Sequence, residues 1–363
     1  MKKVWVTIFP HLENVHLVKD VGQIPFIMGK YYDYDSYIAT LESDLKYDND
    51  DRYLKVKKVK KKTGNDKLDF FLYLIKQSKN IDVLNMYHMS LAEAVLWVLP
   101  YKILNPKGKV YLKMDLSMMY VEDYTKNKIM MFLRKNLLSL YKLVTAESNV
   151  VCRYMNNYYK NKIKYLPNGY YWGFDINCEN RENTVVHVAR LGAKEKLSDV
   201  LVQAFAQTVD YHDWNLKLIG PIEDDFKNWL ENYIKANKKL ENRILYAGQI
   251  QDRKKLAEQY ASAKILALSS VYESFGLVLV EALSQGCYLV STDTVNSVAD
   301  IIADESIGRS CKANDIKDLA KVLQKSIVEF DNRQEAFLYR KEYAKQEYDW
   351  VKLCGKINDW LEE

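Results

Sequence analysis

Glu273 and Glu281, with seven residues between them, frame the stretch of this sequence richest in potential chemistry. The segment reads Ser269-Ser-Val-Tyr-Glu273-Ser274-Phe275-Gly276-Leu277-Val-Leu-Val-Glu281-Ala-Leu-Ser-Gln-Gly286, and a second apolar run resumes at Tyr288. A strand ending near Leu268, a polar loop, and a helix opening at Gly276 and closing at Gly286 account for the pattern, glycine being the usual helix terminator. The first amides of such a helix have no intrahelical acceptor and lie at its positive dipole end. They therefore suit a diphosphate. Glu281 falls more than a turn into the helix among residues that should be buried, and a carboxylate there needs a partner. Two ribose hydroxyls would serve; a helix carboxylate on a solvated face is the plainer alternative.

The elements that must position these residues follow from the pattern of the whole chain. Short β-branched or aromatic runs alternate with helix-period segments, as in stacked βαβ units around parallel sheets. Strands are expected at Lys3–Phe9, Asp82–Met86, Lys109–Lys113, Leu143–Ala146 and Ile163–Leu166. A second series follows at Val185–Val188, Leu216–Ile219, Ile244–Tyr246, Ile265–Leu268 and Tyr288–Ser291. Helices are expected between them, for example over Lys67–Ser78 and Lys126–Leu140. The polar stretch at residues 170–183 marks a boundary between two domains, 1–170 and 171–344, with a helix at about 345–363 packing back on the first. A length of 363 residues suits two domains of ordinary size, and 48% apolar with 28% charged residues suits full cores. Two Rossmann-like halves would leave a deep interdomain cleft, with ligands at the carboxyl ends of the strands.

Composition excludes several classes. The five cysteines, Cys152, Cys178, Cys287, Cys311 and Cys354, are odd in number and form no CxxC pair. This argues against a disulfide framework or a zinc site and for a reducing compartment. The apolar start at Val4–Phe9 is too short for a signal peptide. The run Leu91–Leu104 carries Glu93, Pro100 and Lys102 and falls short of the ~20 residues of a membrane span. A cytoplasmic protein is expected. His11 and His16 stand five apart with no glutamate placed between them as a metalloprotease motif requires, so no metal site is assigned.

The segment around Glu273 resembles the retaining GT-B enzymes of glycosyltransferase family 4, the glycosyl transferases group 1. Their signature is a glutamate, seven residues and a second glutamate, with Phe-Gly two residues after the first; Glu273, Phe275, Gly276 and Glu281 reproduce it. The resemblance implies that Glu273 contacts the donor sugar, that Glu281 binds the ribose, and that the backbone of Ser274, Phe275, Gly276 and Leu277 holds phosphate. It extends to His187-Val-Ala-Arg190-Leu191 with Lys196 and the helix pattern after Asp199. Arg190 and Lys196 would neutralise the departing diphosphate, two fixed cations doing what a divalent metal does elsewhere. Lys196 stands one residue further from the arginine than is usual, and Leu197 replaces a common glycine, so Lys194 competes for the role. Ile244 to Ile250 matches the strand and turn that seat the nucleotide base, and Leu166-Pro-Asn-Gly169 the entry between domains.

The first half departs from the family pattern. Pro10-His11-Leu12-Glu13-Asn14 stands where many relatives have a Gly-Gly loop. Tyr87-His88-Met89-Ser90 resembles the family's aromatic histidine loop, and Asp115 stands where many relatives have a functional histidine. Asp115 is a candidate to hold a sugar hydroxyl or take the acceptor proton, or else a helix cap. His88 is a candidate for the same site, or else a core histidine. The resemblance implies sugar transfer from a nucleotide sugar, UDP-linked by preference, with retention and without cofactor or metal. A hexose or N-acetylhexosamine would pass to a hydroxyl of a glycan, lipid-linked in many bacterial relatives that build capsule, exopolysaccharide or lipopolysaccharide. Residues through Trp172 carry 28 basic and 17 acidic side chains, a balance of +11, and the remainder carries −6. The densest basic run, Lys55–Lys62, suggests peripheral contact with an anionic membrane, or else a solvated strand edge and loop. Two alternatives remain at this point. One is a sugar-nucleotide 2-epimerase of the same fold, which the paired glutamates fit poorly. The other is a nucleic-acid-binding protein, for which no aromatic-basic RNA motif or zinc knuckle speaks.

Overall fold

A computed structural model describes the chain except for residues 1, 43–44, 46–51, 89–90, 119–120, 122–124, 161, 177 and 179. The chain divides into two compact units: Met1–Tyr171 together with Trp350–Glu363, and Trp172–Asp349.

The first unit is built on a seven-stranded parallel sheet, with β1 (Lys3–Ile8), β2 (Tyr34–Thr40), β3 (Lys55–Lys58), β4 (Val83–Tyr87), β5 (Lys109–Met114), β6 (Leu143–Ala146) and β7 (Ile163–Tyr165). Its order is β3-β2-β1-β4-β5-β6-β7. Strands β4 and β6 are buried end to end, the mark of a sheet covered on both faces. On one face, Phe70, Leu74, Trp97 and Met155 share a core with Leu84, Val110 and Val144. On the other, Ile24 and Ile27 from the helix Asp20–Tyr31 meet Trp350, Leu353 and Ile357 from the helix Trp350–Glu362. The last helix is tied further by Tyr34 Oη, which donates to Asn358 Oδ1 at 3.2 Å, and by Lys3 and Lys109, which both reach Glu362.

The second unit has six parallel strands, β8 (Glu182–Val188), β9 (Asn215–Ile219), β10 (Ile244–Tyr246), β11 (Ala263–Leu268), β12 (Tyr288–Thr292) and β13 (Gly308–Cys311), ordered β10-β9-β8-β11-β12-β13. Its helices Ser198–Ala206 and Ile316–Val328 bury Leu201, Phe205, Leu319 and Leu323 in one core with Val185, Ile265 and Val290. Each expected strand is present. Two more, β2 and β13, were not anticipated, because Asp35 and Ser36, and Arg309 and Ser310, interrupt their apolar character, and β3 is the solvated edge strand that the lysines of 55–58 allowed. Among the described residues no helix is long and apolar enough to cross a membrane.

Both sheets reverse their winding direction once, between β1 and β4 in the first unit and between β8 and β11 in the second. In a doubly wound sheet that reversal opens a crevice at the carboxyl ends of the strands, where ligands bind.

Candidate active site

In the second unit, the loops that follow β8 and β11 flank the reversal, and they carry Arg190, Lys196 and Glu273. The helix after β11 runs Leu277–Ser284 and begins at Gly276, whose φ is +80°. A side chain there would be strained by the backbone, and its Cβ would lie 3.2 Å from Leu268 Cδ2 and 3.3 Å from Leu279 Cδ1. Phe275 is buried against Tyr348, and its carbonyl accepts a hydrogen bond from the Ser297 hydroxyl. The turn is thereby fixed from behind. Ser274 and Leu277 are half-buried.

Glu273 is held by three contacts. Lys196 Nζ donates to Glu273 Oε1 at 2.5 Å, Ser270 Oγ donates to the same oxygen at 2.9 Å, and the Glu273 main chain bridges to Val295. Both side chains of the Lys196–Glu273 pair are less than a fifth exposed. Lys194, the rival in the sequence, is exposed. Arg190 is 68% exposed and pairs with Glu195, so the structure does not bring it to Glu273. A hydrogen bond from its own backbone amide, with help from Arg190 and Lys196, holds the Glu195 carboxyl below its usual range.

A buried network supports Lys196 from beneath. Ser269 Oγ donates to the carbonyls of Lys196 at 2.8 Å and Leu197 at 3.1 Å. His187 is fully buried; its Nδ1 lies 2.9 Å from the Ala267 carbonyl and its Nε2 3.1 Å from Ser198 Oγ. A carbonyl only accepts, so Nδ1 carries the proton and Nε2 accepts from the serine hydroxyl. Burial pushes the imidazole pKa down to about 4. Leu197 adopts φ +46°, ψ +44°, a left-handed conformation that explains why glycine suits this position.

Glu281 has partners within the protein, and with its side chain 15% exposed it is not the carboxylate on a solvated face that was the plainer alternative. Tyr260 Oη donates to Oε2 at 3.2 Å, and Arg253 lies 3.6 Å from Oε1. The Arg253 guanidinium stacks 4.6 Å above the ring of Trp172, whose Nε1 donates to Ser284 Oγ at 2.8 Å. Arg253 went unnoticed in the sequence; it opens the helix Arg253–Ser262, which Asp252 caps, and only the fold brings it to Glu281. Ile250 is half-buried in the loop between β10 and that helix. The loop turns at Gly248, φ +74°, whose carbonyl accepts from the Gly220 amide at 2.9 Å.

In the first unit, His88 and Asp115 follow neighbouring strands, β4 and β5. His88 is exposed with φ +61°, and its amide donates to the Lys113 carbonyl at 3.1 Å; the core-histidine alternative is therefore wrong. Met89 and Ser90 of the same loop lie outside the described residues. Asp115 is half-buried, and its carboxyl helps to raise that of Glu147. Glu147 is fully buried and accepts from Asn168 Nδ2 at 2.6 Å. Lys113 Nζ, also fully buried, lies 3.5 Å from Asp20 and 3.9 Å from Glu147. Burial raises the Glu147 carboxyl well above its usual range and raises that of Asp20. The signal for this cluster was a lysine inside the otherwise apolar β5. The loop after β1 has acquired an acidic lining instead of glycines: His11 contacts Glu42 at 3.4 Å and Asp66 at 3.1 Å. Among the described residues no group of three or more His, Cys, Asp or Glu could hold a metal ion.

Residues 173–344, nearly the whole second unit, match the sequence profile of the family described as glycosyl transferases group 1. That domain of the chain belongs to the family. Among curated relatives, a Bacillus anthracis protein named N-acetyl-alpha-D-glucosaminyl L-malate synthase is 31% identical over 146 residues, 40% of this chain and 36% of its own length. An uncharacterized 41.2 kDa protein in the cps region of Klebsiella pneumoniae is 24% identical over 83% of this chain and 85% of its own. An uncharacterized glycosyltransferase of Methanocaldococcus jannaschii is 24% identical over 54% of this chain and 52% of its own length, so the chain spans a third to a half of the length of that relative and of the Bacillus anthracis one. The chain also superposes on Anabaena HepE solved in complex with UDP, with a TM-score of 0.74, 16% identity and full coverage of both chains. The lipopolysaccharide outer core galactosyltransferase WaaB gives a TM-score of 0.71 at 15% identity, covering 99% of each chain. At such identities the superpositions establish the GT-B fold, two Rossmann-like lobes on parallel sheets.

Proposed function

We propose that this chain is a retaining glycosyltransferase. It moves a hexose or N-acetylhexosamine from a UDP-linked donor to a hydroxyl of a growing, lipid-linked cell-surface glycan. The observation that carries the reading is the half-buried Lys196–Glu273 pair beside the start of the helix Leu277–Ser284, with Glu281 little more than a turn further along. A cation, a carboxylate and a set of free amides converge there as a nucleoside diphosphate sugar requires. Glu281 takes the ribose, the amides from Ser274 to Leu277 take phosphate, Ile250 borders the base, and Glu273 holds the sugar. As the bond from the anomeric carbon to the diphosphate breaks, charge grows on the departing oxygen, and Lys196, Arg190 and the helix start stabilise it. The acceptor hydroxyl attacks from the same face and passes its proton to that phosphate oxygen. Positive charge at the leaving group comes from side chains, so no metal is required.

The named relatives favour this reading. HepE is solved with UDP-glucose as well as UDP, WaaB is named a galactosyltransferase, and the Klebsiella pneumoniae relative lies in a cps region. In the first unit, His88 and Asp115, at the ends of neighbouring strands, would meet the acceptor. The protein would act in the cytoplasm at the inner face of the membrane. Of the Lys55–Lys62 cluster, Lys55 is paired with Asp35 and Lys57 sits 3.4 Å over the Tyr37 ring, so Lys58, Lys60, Lys61 and Lys62 are the ones to meet an anionic surface.

A thermal-shift panel of UDP-, GDP- and ADP-sugars tests the donor, since a ligand that binds the folded state raises the melting temperature by mass action. Glu281→Ala should weaken binding of UDP itself, and Glu273→Ala should reduce turnover and sugar-dependent binding. Stabilisation by no nucleotide sugar, or two variants that bind and turn over like the parent, would overturn the assignment.

A further inference from the structure

Four crossover helices of the first unit lie side by side on one face of its sheet. The connections β3–β4, β4–β5, β5–β6 and β6–β7 all step in one direction across the sheet, and right-handed crossovers of one direction place their helices on one side. Residues from the first, second and fourth share a single core, and Met131 of the third packs against it.

The outward faces of the first three are apolar. On the helix Asp66–Gln77, Leu68, Leu72 and Ile75 are 41–45% exposed at spacings of four and three, one stripe of a helix. In the helical run 91–104, Val95, Leu99 and Ile103 repeat every four residues, and Ile103 is 68% exposed. The helix Lys128–Leu137 buries none of its residues; Ile129 is 73% and Phe132 65% exposed, with Met130 and Leu133 beside them. Ten of the twenty-one exposed large hydrophobics among the described residues fall on these three helices. Chance scatter over a surface does not concentrate them so.

The exposed charges on this face are mostly positive. Among the described residues of the three helices, Lys67, Lys76, Lys128 and Lys135 are exposed, whereas the Asp66 carboxylate is engaged by His11, Glu93 is half-buried and Asp69 is buried. Lys60, Lys61 and Lys62 adjoin the first helix, the Lys62 amide donating to Asp69 Oδ1 at 2.9 Å.

We propose that this three-helix face docks on an anionic lipid bilayer, with Ile129, Phe132 and their neighbours entering the headgroup–acyl boundary. Apolar side chains at helical spacing, ringed by lysines, are what an interfacial helix presents. A second copy of the chain would set lysine against lysine, and a nucleic acid would leave the apolar side chains without use. Each lysine brought within a Debye length of the anionic surface strengthens binding about fivefold. The proposal draws on the transferase reading only for its reason, a lipid-linked acceptor; docking needs no donor and is measured without one.

The test is co-sedimentation of the full chain with phosphatidylcholine vesicles and with vesicles containing a third phosphatidylglycerol, at low and high salt. Three proteins are compared: the parent, Ile129→Ser/Phe132→Ser, and Tyr211→Ser, which removes a 64% exposed aromatic of the second unit. The expected result is binding of the parent to anionic vesicles, weakened about tenfold or more by the double substitution and unchanged by Tyr211→Ser. Matching circular dichroism melts show that the double variant is folded. No binding of the parent to anionic vesicles, or equal binding by the double variant, overturns the proposal. So does a concentration-dependent dimer in analytical ultracentrifugation that the double variant loses, since the face would then cover a second copy. Thermal shifts with UDP-sugars on the same proteins report separately on the donor site, so either reading can fail alone.

Discussion

Acidification should destabilise the second unit through His187, and the size of the effect follows from its surroundings. The imidazole is fully buried, donates to the Ala267 carbonyl and accepts from Ser198, so it is neutral in the folded state with a pKa of about 4. In the unfolded chain a histidine titrates near pH 6.5, so between those values the unfolded state binds the extra proton. Stability from this group is therefore complete above about pH 6.5 and is lost as pH falls toward 4. Between pH 7 and pH 5 the loss from this one residue is about 2 kcal/mol. His187→Gln keeps an amide donor for one of the two contacts but cannot take up the proton. Losing the other contact should lower its stability by about 1 kcal/mol at pH 7. Its decline from pH 7 to pH 5 should then be shallower than the parent's by about 2 kcal/mol. Urea denaturation at both pH values, followed by circular dichroism and tryptophan fluorescence, measures the difference; carboxylates and His212 titrate alike in the two proteins and cancel. Parallel pH profiles would refute the reasoning, because a histidine already protonated in the fold, or partly exposed, gives no such gap.

Two further outcomes are expected. Activity should survive excess EDTA and fall by ~10²-fold or more on Arg190→Ala, the scale of one lost transition-state donor; loss in EDTA with recovery on added Mn²⁺ would contradict a leaving group stabilised by side chains. Lys113→Met should cost stability more at pH 8 than at pH 5, because Asp20 and Glu147 lose their buried cation and are kept protonated while the unfolded chain ionises them. Equal losses at the two pH values in urea melts would show that the lysine acts only by packing.

The sequence disclosed those parts of the architecture that depend on local pattern. Strands such as β4 and β12 were legible because both faces are buried and the runs are mostly apolar. The helix after Glu273 was legible because Gly276 and Gly286 bracket it, and both adopt the positive φ that glycine tolerates. What depends on strand pairing was not. Lys113 and Glu147 meet because β5 pairs with β6, with Met114 opposite Ala146, a register no local pattern shows. The choice between Lys194 and Lys196 was likewise undecidable until the loop after β8 lay beside the loop after β11, where Lys196 alone of the two contacts Glu273. Arg253 beside Glu281 has the same origin, two helices in contact that are remote in sequence.

The return of residues 350–363 to the first unit has a consequence for how the protein is made. Trp350, Leu353, Cys354, Ile357 and Leu361 fill one side of a core whose other members are translated hundreds of residues earlier. A ribosome adding roughly 5–20 residues per second would leave that side of the first unit uncovered for on the order of ten to thirty seconds. The second unit, an uninterrupted stretch from Trp172 to Asp349, meets no such delay. Although synthesised later, it would complete its fold first, while the side of the first unit awaiting Trp350 stays exposed to chaperones.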